Sequence, residues 1–369
     1  MALEFKTLKF FNYFSELEDP RIDRKKLYSL EEILLTTVCA VICGAESWQD
    51  ISDFGEARIS YLKKFLPYKN GIPSHDTFGR LFSMLDPESF RKCFIQWMQS
   101  FQKELSVIAI DGKTVRRSFD KIKDKKPIHV ISAFASNVRL VMGQKKVNSK
   151  TNEITEIPKL LDLLFIKDSI ITIDAMGCQK EIANKIIEKK ANYILALKGN
   201  HGDLYEDVKT YLQEEKNLKF YKDVDKGHGR IEIRKCFATN NIEWLSGKKK
   251  WKNLKTILMI ESTRITRDKE SKEIRFYISS LEPDPEKLLK AVRSHWAIEN
   301  NLHWVLDMTF REDESRIRKK NAPENMAIIR HIVLNMLKKA ETKNISIRRR
   351  RKKAGWSNEY LENVLKQKF

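Results

Sequence analysis

The sequence has little cysteine, no long apolar run and a minority of acids, and each shortage closes off a class of protein. Its 369 residues hold five cysteines, at positions 39, 43, 93, 178 and 236. Five is an odd number and none forms a CxxC pair, so a disulfide framework is excluded and reduced thiols in a cytoplasmic setting are expected. Cys39 and Cys43 lie four apart in an apolar helical stretch and are expected in the core. No stretch of 18 apolar residues, basic amphipathic helix or lipidation signal is present, so no membrane association is expected. The start, Met1-Ala-Leu-Glu-Phe-Lys6, lacks the apolar segment of a secretory signal. There is no internal repeat and no long Gly/Ser or Pro linker, so the parts of the chain are expected to dock together.

The shortage of acids is the most informative. Asp plus Glu number 50 against 70 Lys plus Arg, a net charge of +20. That balance favours a polyanionic partner, with nucleic acid the leading candidate. A 41% hydrophobic content is enough to build a sizeable core.

Residues 1–104 read as an all-helical N-terminal domain expected to bind DNA. Ser29-Leu-Glu-Glu32 is a capping box ahead of an apolar run that Gly44 closes, and Ser47-Trp-Gln-Asp50 opens another helix. Asp86-Pro87-Glu88 places a cap and a first-turn proline before Phe90, Phe94 and Trp97. Between them, Ser74 caps a helix whose Thr77 and Arg80 could face a groove, or simply pack.

From about 105 the rhythm becomes that of strands. Val107-Ile-Ala-Ile110 suits a strand buried on both faces, and it runs straight into Asp111. Ile170-Ile-Thr-Ile173 repeats the pattern and ends at Asp174. Two buried strands that each deliver an aspartate to a sheet edge suggest a metal or acid/base centre. Strands over 128–135 and 138–142, helices near 156–165 and 181–190, and a strand over 193–198 give the order β-β-β-α-β-α-β. By topology this is a ribonuclease-H-like catalytic domain, spanning 105–340 in an α/β fold class. Residues 200–282 read as a β-rich insertion with strands over 230–237, 255–265 and 274–278. Asp284 and Pro285 then start a helix whose apolar stripe is Leu289, Val292 and Trp296, with Glu299 on the same face between His295 and His303. A carboxylate on an inward face needs a cation beside it. Trp296 and Trp304 are expected in the core. Arg348 to Lys353, six bases in a row, belong to a basic C-terminal tail over 341–369, either solvated or touching phosphate.

Asp111, Asp174 and Glu299 make a D, D, E set. The blocks Ile110-Asp-Gly-Lys113, Ile173-Asp-Ala175, Tyr193-Ile-Leu-Ala-Leu-Lys-Gly-Asn200, Gly227-His-Gly-Arg-Ile-Glu232 and His295-Trp-Ala-Ile-Glu-Asn-Asn-Leu-His-Trp304 resemble those of bacterial insertion-sequence transposases of the DDE class, most closely the H-repeat-associated subgroup. The resemblance spans nearly the whole chain. It implies a catalytic core in which Asp111, Asp174 and Glu299 bind two Mg2+ ions, with Mn2+ able to substitute. It also implies DNA as partner, both element ends and target, a homodimer that pairs two ends, and a cytoplasmic, nucleoid-associated protein. The implied activity is metal-dependent cleavage at terminal inverted repeats followed by strand transfer. A nuclease or junction resolvase without strand transfer, and a domesticated DNA-binding protein, are the alternatives.

Around this set, Lys113, Arg116 and Arg117 are expected at DNA phosphates. Lys198 and Asn200 could orient phosphate or only shape a turn, and His228 and Arg230 could reach the cleavage site from a glycine-flanked hairpin. His295 is expected at DNA, and Asn300, His303 and Asp307 behind the metal ligands. Better-known relatives carry a Tyr, Arg, Glu, Lys pattern about the third acid; here Val292, His295 and Leu306 stand at the other three positions.

Overall fold

The computed structural model describes residues 8–100, 106–120, 124–147, 152–227, 229–340 and 345–366. Six helices come first: α1 (Lys9–Asn12), α2 (Leu30–Cys43), α3 (Trp48–Ala57), α4 (Ile59–Leu62), α5 (His75–Met84) and α6 (Pro87–Gln99). The starts follow the caps. Ser29 Oγ accepts from the Glu32 amide while Glu32 reaches back to the Ser29 amide, and Gly44 ends α2 at φ 119°, which favours glycine. The same reciprocal box opens α3 through Ser47 and Asp50, and Asp86 with Pro87 opens α6.

Next come β1 (Val107–Thr114), β2 (His129–Ala135), β3 (Leu140–Val147), α7 (Glu153–Leu163), β4 (Ile170–Ile173), α8 (Lys180–Glu188) and β5 (Asn192–Leu197). β1, β2 and β3 form an antiparallel meander, and β4 and β5 add to β1 in parallel. The element order β-β-β-α-β-α-β is therefore the expected one, in a mixed sheet. Unlike the expectation, β1 does not stop at Asp111. It runs on to Thr114 because its far half is paired to β2, Asp111 opposite Ser132 and Thr114 opposite His129, after β4 has ended.

The insertion contains α9 (Asp203–Glu214), β6 (Lys219–Gly227), β7 (Arg230–Thr239), β8 (Thr256–Ile265) and β9 (Glu270–Ser279). It prolongs the main sheet, because β9 pairs antiparallel with β5 and the order across all nine strands is β3-β2-β1-β4-β5-β9-β8-β7-β6. The backbone groups along β5 that would otherwise form an open edge are thereby paired.

α10 (Pro285–His295) leads into a five-residue π-helical turn, Glu299–His303, and then α11 (Trp304–Phe310). α12 (Ala322–Lys339) is buried along almost its whole length. Its Asn335 side chain bonds both backbone groups of Val141 on β3, and Asn325 donates to the Phe82 and Leu85 carbonyls below α5. One apolar core runs from Phe10 and Ile33 through Trp97 and Phe134 to Ile332 and Leu361. The N-terminal helices thus share a core with the sheet rather than standing apart from it. The segment read as a basic tail, solvated or touching phosphate, folds into α13 (Ile347–Trp356) and α14 (Asn358–Leu365).

Candidate metal centre

The last parallel pair between β1 and β4 is Ile110 with Ile173, so Asp111 and Asp174 occupy the next positions on adjoining strands. This is the crevice beyond the carboxyl ends of parallel strands, where α/β sheets hold ligands. Gly112 leaves room for a pair of side chains beside it: a Cβ there would lie 2.5 Å from His129 Nε2 and 2.3 Å from Glu153 Oε1, so the pair these two atoms make at 2.5 Å would have to shift. Asp111 Oδ1 accepts from the Gly112 amide at 2.9 Å. Asp174 Oδ1 accepts from the Met176 and Gly177 amides at 3.1 and 3.2 Å, which fixes the carboxylate on the turn after β4.

Glu299 comes from the π-helical turn. The extra residue in such a turn rotates the side chains that follow it relative to a straight α-helix, and π-turns are frequent at functional sites. Here it sets His303 Nδ1 3.5 Å from Glu299 Oε2 and 3.7 Å from Asp111 Oδ2. Donor atoms of Asp111, Glu299 and His303 all lie within 4.8 Å of one another. Burial pushes the Asp111 carboxyl up to about 6 although His303 opposes it, and Glu299 and Asp174 add to the rise. The contact with His303 holds Glu299 below the usual carboxylate range. Glu299 stays open to solvent, its side chain 55% exposed, so a ligand can reach the group. The donor set fits a hard divalent cation: two clustered carboxylate oxygens, a third carboxylate at the end of the neighbouring strand and, among the described residues, no lysine or arginine paired to any of the three. His303 adds a nitrogen that would suit Mn2+ better than Mg2+ if it bound directly.

A second acidic cluster adjoins this one. Lys113 Nζ lies 2.7 Å from Asp307, 2.9 Å from Asp313 and 3.4 Å from Glu312, and Arg330 Nη1 lies 3.3 Å from Glu312. Glu312 is wholly buried; burial alone would raise its pKa, yet Arg330, Lys113 and His331 hold it below the ordinary range. Lys113, expected at phosphate, is thus met by three carboxylates of the chain itself. Asp307, expected behind the metal ligands, pairs with that lysine at 2.7 Å.

The remaining expected residues scatter. Arg116 is exposed and pairs with Asp313 at 3.1 Å, while Arg117 and Lys198 are exposed. Asn200 Nδ2 donates to the Ala175 carbonyl at 3.1 Å and so braces the turn that carries Asp174. Arg230 pairs with Glu232 at the β6–β7 hairpin, and His228 lies outside the described residues. His295 Nδ1 is 3.0 Å from Thr172 Oγ1 on β4, and burial lowers its pKa against the pull of Asp174. Asn300 is exposed. Trp296 and Trp304, expected in the core, are 47% and 60% exposed, because α10 ends at His295 and the chain turns before the π segment. Trp296 instead lies under the Arg275 guanidinium at 4.6 Å. What sequence reasoning missed is the Lys113 cluster; its signal was the charged run Arg311 to Lys320.

The sheet and the carboxylates at its crevice define a mixed α/β protein with a divalent-cation type of site. The chain belongs to the family described as Transposase DDE domain, whose model matches residues 102–336, with the DDE_Tnp_1-associated model matching 11–98. It is 44% identical to "Putative transposase YncI" of Escherichia coli O157:H7, over 96% of this chain and 93% of that protein. It is 43% identical to "H repeat-associated putative transposase YhhI" of Escherichia coli strain K12, over 97% of each. A solved chain of a piggyBac transposase synaptic complex with hairpin DNA aligns with a TM-score of 0.47 at 12% identity, over 99% of this chain and 80% of that one. Among the described residues no helix is long and apolar enough to cross a membrane.

Proposed function

We infer that the chain is an active DNA transposase with a ribonuclease-H-like core, which binds the terminal inverted repeats of its element, cleaves there and joins the freed ends to target DNA. The observation that carries this reading is the convergence of Asp111, Glu299 and His303 within 4.8 Å, with Asp174 at the equivalent position of the adjoining strand. Two Mg2+ ions held by the three acids would lower the pKa of a water and clamp both oxygens of an in-line displacement at phosphorus. Asp111 loses its proton to serve there. His303 orients the carboxylates of Asp111 and Glu299. His295, bonded to Thr172, and Asn200, bonded to Ala175, stiffen the β4 end that presents Asp174. Lys113 holds α11 to β1 through Asp307 and so steadies the helix that directly follows His303. In strand transfer the element's 3′-OH takes the place of water: it forms a new ester to a target phosphate as one bridging P–O bond breaks, and no covalent protein intermediate is needed.

Exposed Arg116, Arg117, Lys198 and Arg230, the α5 face with Thr77 and Arg80, and the +20 balance support DNA contact. Bringing two ends together implies a homodimer in the cytoplasm, at the nucleoid. Incubating the protein with pre-cleaved inverted-repeat ends, a plasmid target and Mg2+ tests the reading. Joined product lost on Asp111→Ala, Asp174→Ala or Glu299→Ala is the expected result. Cutting without joining would replace it with a nuclease, and neither activity would leave a DNA-binding protein.

A further inference from the structure

The six consecutive bases Arg348 to Lys353 divide into two groups once α13 forms. Arg350 and Arg351 point inward, 9% and 5% exposed. Arg350 Nη1 donates to the Leu337 and Lys338 carbonyls at 2.6 and 3.2 Å, closing the end of α12. Arg351 donates to Val41 O at the end of α2 through Nε and Nη2, at 3.2 and 3.0 Å, and through Nη1 to Thr309 O at the end of α11. Its guanidinium also lies over the Phe310 ring at 4.4 Å. Two arginines thus satisfy the free carbonyls of three helix C-termini, where cations are favoured. They lock α13 in place.

At 100° per residue, Arg348, Arg349, Lys352, Lys353 and Trp356 fall on the opposite face. Arg348, Arg349 and Lys352 are exposed and, among the described residues, have no ion-pair partner. Some surface cations elsewhere are matched, Arg293 to Asp223 and Asp225, Lys290 to Glu286, Arg230 to Glu232; what sets this face apart is that its three bases stand on one side of one helix beside an exposed tryptophan. Lys353 lies over Tyr360 at 4.2 Å, and Trp356 is 77% exposed beside an open depression of about 330 Å3 that Lys353, Tyr360 and Glu359 also line.

From these observations we propose that the outer face of α13 is a DNA-docking surface separate from the carboxylate centre, with Arg348, Arg349 and Lys352 on backbone phosphates of one strand and Trp356 against a neighbouring sugar or base. The lengths match: Arg348 to Trp356 covers about 12 Å of helix, along which one strand of a duplex carries three or four phosphates at about 3.4 Å of axis each. Glu359 on the α14 wall keeps phosphate out of the depression, which leaves it for the uncharged part of a nucleotide. The surface rests on the reading of DNA as substrate, yet needs neither metal nor reaction, so its failure leaves the catalytic reading standing.

The test uses the full chain in metal-free buffer, with duplex DNA of arbitrary sequence titrated over a range of salt. Neutralising three phosphate contacts changes the slope of log K against log[salt] by about 0.9 each. The triple variant Arg348→Ala, Arg349→Ala, Lys352→Ala should bind tens of times more weakly at moderate salt, with a slope shallower by 2–3, while its melting temperature stays that of wild type. Duplex added to the wild-type chain should quench fluorescence that Trp356→Phe lacks, a readout that needs no charge variant. An unchanged slope with no Trp356 signal overturns the proposal. So does a triple variant that loses self-association but keeps its DNA slope, which would make the face a contact between copies.

Discussion

Two acidic clusters sit side by side at the end of β1, and they solve opposite problems. Around Lys113, the carboxylates of Asp307, Glu312 and Asp313 are met by a lysine and an arginine already in the chain, and Glu312 stays ionised although fully buried. Around Asp111, among the described residues, the carboxylates are met by the imidazoles of His303 and, further off, His295, and Asp111 is pushed up to about 6. The first cluster is complete as folded. The second holds more negative charge than the chain compensates, which is the electrostatic signature of a site that takes its cation from outside.

Substitutions should separate the two most widely. Asp111→Ala or Glu299→Ala is expected to cut strand transfer at least a thousandfold, about 4 kcal/mol of barrier, with no loss of thermal stability. Arg330→Met should do the reverse, costing about 3–5 kcal/mol of stability by breaking a buried ion pair and leaving Glu312 only a lysine already shared with Asp307 and Asp313, as denaturant unfolding would measure. Equal effects at the two clusters would erase the distinction.

Metal should act on one cluster alone. At a hundred times its dissociation constant, Mn2+ is expected to stabilise the wild-type chain by about 2.7 kcal/mol, and Glu299→Gln by far less. That gain should shrink as pH falls below about 6, because Asp111 must give up its proton before it can bind a cation. A gain independent of pH between 5 and 7 would place the ion elsewhere.

The last effect concerns the metal-free protein. A raised folded pKa means the folded state binds the extra proton, so this group's contribution to stability is lost as pH rises from about 4 to 6. Asp111→Asn removes that loss and should be more stable than wild type above pH 6 by about 3 kcal/mol, with little difference near pH 4. Chemical unfolding at the two pH values measures it.

How much of this was legible depended on whether the signal was local. Helix starts at Ser29, Ser47, Asp86 and Asp284 could be read because a cap is a side chain bonding its own first turn. Asp111 and Asp174 stood out because an apolar run that meets an acid is visible in the sequence. The extension of β1 through Gly112, Lys113 and Thr114 was not, since only pairing with β2 makes those polar residues a strand. β6 escaped for the same reason: Lys219 to Gly227 is an exposed edge with little apolar content. The end of α10 at His295 leaves no mark in the apolar stripe Leu289, Val292, Trp296, so the sequence points Trp296 inward where the structure exposes it. The basic block was read as a tail because the buried face of α13 is built partly from arginines that bond distant carbonyls, which no hydrophobic pattern reports.

Calorimetric titration of Mn2+ into the chain at pH 7 tests the central claim most directly. Saturable binding in the wild type, abolished in Asp111→Asn and in Glu299→Gln while both variants remain folded, is the predicted result. Binding that persists unchanged in both variants would contradict it.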